Sequence, residues 1–141
     1  MDKYEFNIKV EQIKKLVNRG DYATAMKIAD TIDWRRVRNA SLLSMIAQIY
    51  EKNEEYQDAK DVLLLAFERA PIGKRLLYKL TDLALKEGSV AEAEAYYREF
   101  CDLAQDDPRQ YLLRYMILKA KKAPIEQLNR SLEMYTSKEV D

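Results

Sequence analysis

The sequence predicts an all-α fold, an α-α superhelix of about eight antiparallel helices arranged in four hairpins. Three observations support this expectation. Short segments recur with a 34-residue period, apolar residues recur at helical spacing, and glycine and proline are scarce, with three of each in 141 residues. Alanine, leucine, glutamate, lysine, glutamine and arginine, which are the better helix formers, dominate instead.

The period is visible in three aligned segments, residues 20–25, 54–59 and 88–93. Their last residues are Ala25, Ala59 and Ala93, so each copy begins 34 residues after the one before it. A fixed period of this length indicates repeats that stack on one another. The chain is therefore divided into units 6–39, 40–73, 74–107 and a degenerate 108–141, which together form a single predicted domain, 1–141.

Each copy places two amphipathic helices on either side of its short segment. In the second copy, apolar residues recur at the i, i+3, i+4 or i+7 spacing that puts them on one helix face. The first helix carries Leu43, Ile46, Ala47 and Tyr50, and the second carries Tyr56, Ala59, Leu63 and Ala66.

The short segments have the composition of helix ends. Gly20 and Gly88 are expected in the left-handed conformation that closes a helix, with Asn53 or a neighbour in that role in the second copy. Ser89 with Glu92 predicts a capping box at the next helix. Asp33 is expected to cap the helix that opens the second unit, with Trp34 packed beneath that junction.

These residues resemble the tetratricopeptide repeat, and the second copy matches best. The first copy departs from the family pattern at Lys9 and Gln12, and in the third Val90 replaces the turn tyrosine. In the fourth, Pro124 and Leu128 depart from it, and Leu128 stands one residue out of phase. This fourth copy is either a capping unit or the edge of a longer solenoid. We expect the latter, with the chain as the N-terminal part of a longer bacterial repeat protein, because apolar surface would stay open at its end, at Leu128, Leu132, Met134 and Tyr135. The matching residues of the second copy are Leu43, Ile46, Ala47, Tyr50, Tyr56, Ala59, Ala66 and Pro71.

The residue types needed for catalysis are scarce. There is no histidine, and the one cysteine, Cys101, cannot build a zinc site. Cys101 is expected to act as a small buried hydrophobe. The sequence therefore predicts no enzyme, no cofactor and no metal.

Charge and hydropathy disfavour two classes of partner. The 24 basic and 24 acidic side chains cancel, which disfavours nucleic acid. No apolar run approaches the roughly 18–20 residues of a membrane span, so a cytoplasmic location is expected. The charge is nevertheless segregated: residues 1–39 and 108–141 carry +3 each (nine basic against six acidic, and seven against four), and residues 40–73 and 74–107 carry −3 each (three against six, and five against eight). Self-association through this pattern is left open.

The resemblance implies that the first helices line a concave face that holds a peptide or a partner protein. The same residues are equally consistent with an ordinary solvated helix face. Polar residues in the corresponding slots are Asn7, Lys14, Asn18, Ser41, Ser44, Gln48, Lys52, Arg75, Tyr78, Lys79, Asp82, Lys86 and Arg109.

One specialised family site is incomplete here. Co-chaperone members hold a carboxylate with a lysine and asparagines, together with a basic pair that Arg75 and Lys79 match in spacing. Val10, Lys14 and Met45 occupy the remaining slots, so chaperone-tail binding is not expected. Two alternatives to a binding scaffold stay open: a regulatory or targeting segment of a larger enzyme, and an RNA-binding helical repeat.

Overall fold

The computed structural model describes residues 2–69 and 73–140, and the side chains as far as residue 137. The chain falls into two compact units, residues 1–71 and 72–141, and each is described by itself. Every regular element of the described residues is a helix. None of the described helices is both long enough and apolar enough to cross a lipid bilayer.

Unit 1 contains two helical hairpins. In the first hairpin α1 pairs with α2, in the second α3 pairs with α4, and α2 packs against α3. A single 3-10 turn lies between the hairpins and contacts α4. The elements are α1 Lys3–Asn18, α2 Tyr22–Ala29, the 3-10 helix Trp34–Arg36, α3 Ala40–Lys52 and α4 Tyr56–Arg69.

Unit 2 repeats the arrangement with a third and a fourth hairpin. Here α5 pairs with α6 and α7 with α8, and α7 packs against both α5 and α6. The helices are α5 Lys74–Glu87, α6 Val90–Leu103, α7 Arg109–Ala120 and α8 Ile125–Val140. The starts of α3 and α5 coincide with the predicted boundaries at 40 and 74, whereas α1 begins earlier and α7 one residue later than predicted.

The repeated alanines are core residues. Ala25, Ala59 and Ala93 are each fully buried on the second helix of a hairpin. A small side chain lets the two helices of a pair approach closely, and in a close-packed interior there is no free volume for a larger one. The apolar stripes of the second copy are buried as predicted, among them Leu43, Ile46 and Leu63, except that Tyr56 is half-buried. Cys101 is only half-buried.

The turn inside each hairpin is the most regular feature of the chain. The residues with positive φ are Gly20 (76°), Glu54 (61°), Gly88 (88°) and Lys122 (58°), each 34 residues after the last. In every case the next residue donates its N–H to the carbonyl five positions earlier, as in Asp21 to Leu16 at 2.9 Å. This is the Schellman motif. The predictions for Gly20 and Gly88 are confirmed, and in the second copy the left-handed residue is Glu54, the neighbour of Asn53.

Two predicted caps are not formed. The Ser89 hydroxyl makes no capping bond and donates to the Glu87 carboxylate at 3.2 Å, while the Glu92 carboxylate accepts the Tyr96 hydroxyl at 3.1 Å. The capping-box prediction was therefore wrong, because the Ser89 side chain bonds back to Glu87 across Gly88 and the Glu92 side chain bonds forward to Tyr96 within α6. Asp33 precedes only the 3-10 helix and makes no capping bond.

The cap of α3 is Asn39 instead. Its side-chain oxygen accepts the backbone N–H of Leu42 at 3.0 Å. Trp34 is half-buried, and the Arg35 guanidinium lies 4.5 Å from the centroid of its ring.

The helix α2 is much shorter than its counterparts. It has 8 residues, whereas α4 and α6 have 14 each. The following Asp30-Thr31-Ile32-Asp33 explains the early end: aspartate is unfavourable at the negative helix C-terminus, and β-branched residues have low helix propensity. The Thr31 hydroxyl also donates to the Ile28 carbonyl at 2.6 Å. Residues 30–39 therefore form a long connection in place of helix.

The fourth hairpin accounts for the phase shift at Leu128. Its left-handed residue, Lys122, is in register, but α8 begins at Ile125 because Pro124 cannot continue the hydrogen-bond pattern and starts the helix one residue late. Leu128 is then the fourth helical residue, as Ala93 is in α6. Gln127, which stands 34 residues after Ala93, is exposed.

Candidate binding surfaces

In unit 1, the predicted polar residues occupy the first helices of both hairpins. On α1, Lys14 pairs with Glu11 at 3.6 Å, and Asn7 and Asn18 are exposed. On α3, the Lys52 ammonium lies 5.8 Å from the centroid of the Tyr22 ring. The other predicted members on α3, exposed or half-buried, are Ser41, Ser44 and Gln48.

In unit 2, the predicted residues form a charged strip along α5. The Asp82 carboxylate lies between two lysines, 3.5 Å from Lys79 and 3.2 Å from Lys86. Arg75 is exposed one turn before Lys79. The ring of Tyr78 is half-buried and meets Phe100 edge-on, at 6.3 Å between centroids. The strip therefore combines three basic groups, one carboxylate and one aromatic ring on α5, and the role of these residues in binding stays a prediction.

Arg109, the predicted member on α7, is engaged within unit 2. Its guanidinium makes a two-pronged contact with the Asp107 carboxylate, with the shortest nitrogen–oxygen distance at 2.7 Å. It also lies 5.5 Å from the Tyr78 ring centroid and 5.8 Å from that of Phe100. Lys74 reaches the same carboxylate at 3.2 Å. These contacts hold the connection between α6 and α7 closed.

The environment of this cluster alters proton affinities. Hydrogen bonds from Arg109, and further ones from the Arg109 backbone and Lys74, hold the pKa of Asp107 well below its usual range. The same hydrogen bond raises the pKa of Arg109. Burial, with the nearby Asp82 carboxylate, raises the pKa of Tyr78, so its hydroxyl stays protonated at neutral pH.

Unit 1 also holds a groove that the sequence interpretation missed. It has a volume of about 640 Å³ and lies between the start of α1, the connection 30–39 and the start of α3. Such a volume is within the range of about 300–1,000 Å³ that is typical of ligand pockets. The lining residues are Asp2, Lys3, Phe6, Thr31, Ile32, Asp33, Arg36, Val37, Arg38, Asn39 and Leu42.

The early end of α2 is what opens this groove. The signal was present in the sequence, since Asp30-Thr31-Ile32-Asp33 contains no strong helix former. The 34-residue period hid it, because a fixed period suggests that every second helix has the same length. The groove was thus recognisable only by testing each copy for helix propensity separately.

Unit 2 has a smaller groove of about 400 Å³ between α7 and α8. Arg114 and Arg130 flank it, and Tyr111, Leu118 and Met134 supply apolar contacts. It shows that the fourth hairpin leaves part of its apolar surface uncovered by the described residues, as the sequence predicted for this end. Met134 is exposed, while Leu128, Leu132 and Tyr135 are half-buried.

Comparison with known proteins gives the fold. No protein-family model matches the chain, and no curated protein matches it either. Solved structures do match. The structure of MamA has a TM-score of 0.71 and 17% identity, over 93% of this chain and 71% of MamA. A fragment of MamA from Desulfovibrio magneticus RS-1 has a TM-score of 0.72 and 14% identity. The match covers 94% of this chain and 74% of that fragment.

A third structure is YrrB, described as a TPR protein with an unusual peptide-binding site. Its TM-score is 0.63 at 18% identity, over 92% of this chain and 66% of YrrB. Identities this low identify the fold alone. In the described residues, eight α-helices form four hairpins with four turns in one register. Together with these matches, they confirm the predicted class: the chain has the all-α, α-α superhelix fold of tetratricopeptide-repeat proteins.

Proposed function

We propose that this chain is a protein-interaction scaffold that binds a peptide or a partner protein along the first helices of its hairpins. The fold supports binding in general, because repeat folds of this kind expose extended surfaces on one set of helices. YrrB, which has a related fold, is described as having a peptide-binding site.

The observation that carries the proposal is the strip on α5. Arg75, Lys79, Asp82 and Lys86 succeed one another at helical spacing, so they project from one side of the helix. Three basic groups and one acidic group lie along it, and Tyr78 adds an aromatic ring that is half-buried. Such a strip can donate and accept hydrogen bonds along an extended backbone while its charges select the sequence.

Catalysis is not part of this proposal. Among the described residues, no three histidine, cysteine, aspartate or glutamate side chains are grouped so as to hold a metal ion. The carboxylate with the largest pKa shift, Asp107, is paired with Arg109 and Lys74, which is the arrangement of a structural ion pair rather than of a general base.

The experiment is a comparison of captured proteins. We expect the double variant Arg75→Glu, Lys79→Glu to lose the proteins that the wild-type chain enriches from cell lysate, as quantified by mass spectrometry. Circular dichroism should be nearly unchanged, because Arg75 is exposed and Lys79 is partly exposed.

The matched control is Arg98→Glu on α6. Arg98 is 75% exposed and lies on a second helix, outside the proposed surface. It should retain the proteins captured by the wild type. Equal capture by the double variant and the wild type would show that the first-helix face of unit 2 does not bind the partner.

A further inference from the structure

The groove in unit 1 has an apolar floor. Ile32 and Val37 are buried in the connection, and Phe6 of α1 and Leu42 of α3 are half-buried on either side of it. In the residues that the structure describes, α1 and α3 make no extensive contact with each other, whereas α5 packs directly on α7. The floor is therefore reachable from outside between the two helices.

The rim of the groove is basic. Lys3, Arg36 and Arg38 are exposed there, and none of the three forms an ion pair with any residue that the structure describes. The Arg35 guanidinium instead lies over the Trp34 ring. The groove lies in residues 1–39, the stretch that carries a net charge of +3.

The other polar groups of the lining are already used within the protein. The Asp2 carboxylate accepts the Glu5 N–H at 2.7 Å as the cap of α1. The Asn39 side chain caps α3, and the Thr31 hydroxyl donates to Ile28. Asp33 is then the one carboxylate of the lining with no hydrogen bond to a described residue, and the three cations exceed the two carboxylates, Asp2 and Asp33, by one charge. The electrostatic character of the opening is set by the cations.

We propose that this groove is a second binding site and that it takes a short acidic peptide segment with one large apolar side chain. The apolar side chain enters the floor between Phe6 and Leu42. Carboxylates on its two sides meet Lys3, Arg36 and Arg38, since arginine matches a carboxylate with paired N–H donors. Charge complementarity and the apolar floor together favour this occupant over a basic peptide.

The site is separate from the strip on α5. It is built from the ends of α1 and α3 and from the connection, none of which contributes Arg75 or Lys79. The proposal therefore does not depend on the function proposed above, and the two can fail independently.

The test is a fluorescence anisotropy titration of the full chain with a fluorescein-labelled peptide, Gly-Asp-Glu-Leu-Glu-Asp-Gly. We expect saturable binding that weakens as salt is raised, because exposed charges are screened. A peptide with lysine in place of every acidic residue, and one with alanine in place of leucine, should each bind at least tenfold more weakly. Equal binding of the lysine peptide would overturn the proposal.

The protein variants locate the site. The double variant Arg36→Glu, Arg38→Glu should bind the acidic peptide at least tenfold more weakly than the wild type does. The control is Lys15→Glu, Lys27→Glu, which makes the same charge change at exposed residues outside the groove and should retain most of the affinity. Arg75→Glu with Lys79→Glu should also retain it, which separates this site from the surface on α5. Equal losses in the two unit 1 variants would overturn the proposal, because binding would then follow net charge.

Self-association is the remaining outcome. If sedimentation shows that the wild-type chain dimerises and that Arg36→Glu with Arg38→Glu is monomeric, the occupant is a second copy and the peptide proposal is wrong. A wild-type chain that gives no anisotropy change with the acidic peptide would contradict it as well.

Discussion

The two connections between hairpins show how one sequence period produces different structures. In unit 1, α2 has 8 residues and the connection spans residues 30–39. In unit 2, the equivalent α6 has 14 residues and the connection spans only residues 104–108. The length from turn to next helix is nearly the same, but its division between helix and connection differs.

The short connection of unit 2 is closed by charge. Asp107 accepts the Arg109 backbone N–H at 2.9 Å and contacts the Arg109 and Lys74 side chains, while Arg109 covers Tyr78 and Phe100. The equivalent residue in unit 1, 68 residues earlier, is Asn39, which caps α3 but holds no cation. Asn39 directly precedes α3 and Asp107 lies two residues before α7, but of the two only Asp107 pairs with cations that hold the connection in place.

This difference indicates which features the period controls. The turns and the buried alanines lie where helix pairs must approach, and the turn keeps one backbone geometry in all four described hairpins. The connections lie outside those contacts and are free to vary, and the largest groove of unit 1 lies along one of them.

The largest expected effect is on the feature that the hairpins share. Ala59→Leu should lower the free energy of unfolding by about 1–3 kcal/mol, because Ala59 is fully buried between α3 and α4 and a larger side chain forces repacking. Urea denaturation followed by circular dichroism measures this.

The matched substitution is Gln127→Leu, at the position 68 residues later. Gln127 is exposed because α8 starts one residue late, so this change should stay within about 0.5 kcal/mol. Similar destabilisation in both variants would contradict the phase shift at Pro124.

Removing the contacts of Asp107 with Arg109 and Lys74 in unit 2 should have a smaller effect on stability, with a distinctive pH dependence. Asp107→Asn should lower the free energy of unfolding by about 1–2 kcal/mol at neutral pH, because hydrogen bonds to a charged group are lost. Asp106→Asn, the same change at an exposed neighbour, should have almost no effect.

The sign of the pH dependence follows from the lowered pKa of Asp107. A carboxyl with a lower pKa in the folded state adds stability above its unfolded pKa of about 3.9. That stability is lost as the pH falls through the folded value. Wild type and Asp107→Asn should therefore differ most at pH 7, and the difference should begin to shrink once the pH falls below about 4 and continue to shrink toward the lower folded pKa. A constant difference across this range would show that the charge of Asp107 is not what stabilises the connection.

The features that recur in several copies were predicted from the sequence, whereas features that belong to a single copy were missed. Ala25, Ala59 and Ala93, the turns at Gly20 and Gly88 and the helix starts at 40 and 74 follow from a period that packing enforces. The Ser89–Glu92 capping box failed because both side chains have nearer partners, Glu87 and Tyr96.

The long-range contacts are the other part that was missed. The stacking of Arg109 on Tyr78 and Phe100 joins residues on three helices, so no local pattern reveals it. The groove in unit 1 depends on where α2 ends, a balance of small propensities at Asp30 and Thr31 that the period does not encode.

The smallest expected effects test the turns. Glu54 and Lys122 hold the left-handed conformation with a Cβ, which costs about 1–2 kcal/mol relative to glycine. Part of this gain in stability is lost, because glycine loses more conformational freedom than other residues when the protein folds. Glu54→Gly and Lys122→Gly should therefore each raise the free energy of unfolding by about 0.5–1 kcal/mol, as measured by urea denaturation.

The reverse changes are the control. Gly20→Ala and Gly88→Ala should each be destabilising by about 1 kcal/mol, and the cost must lie in the backbone, since no atom stands within 4 Å of the added Cβ at either position. Opposite signs for the two pairs would confirm that all four hairpins use one strained turn that units 1 and 2 share despite their different connections. If Glu54→Gly is neutral while Gly20→Ala is destabilising, the four turns are not energetically equivalent. The 34-residue period would then apply to the backbone geometry of the turns and not to their energies.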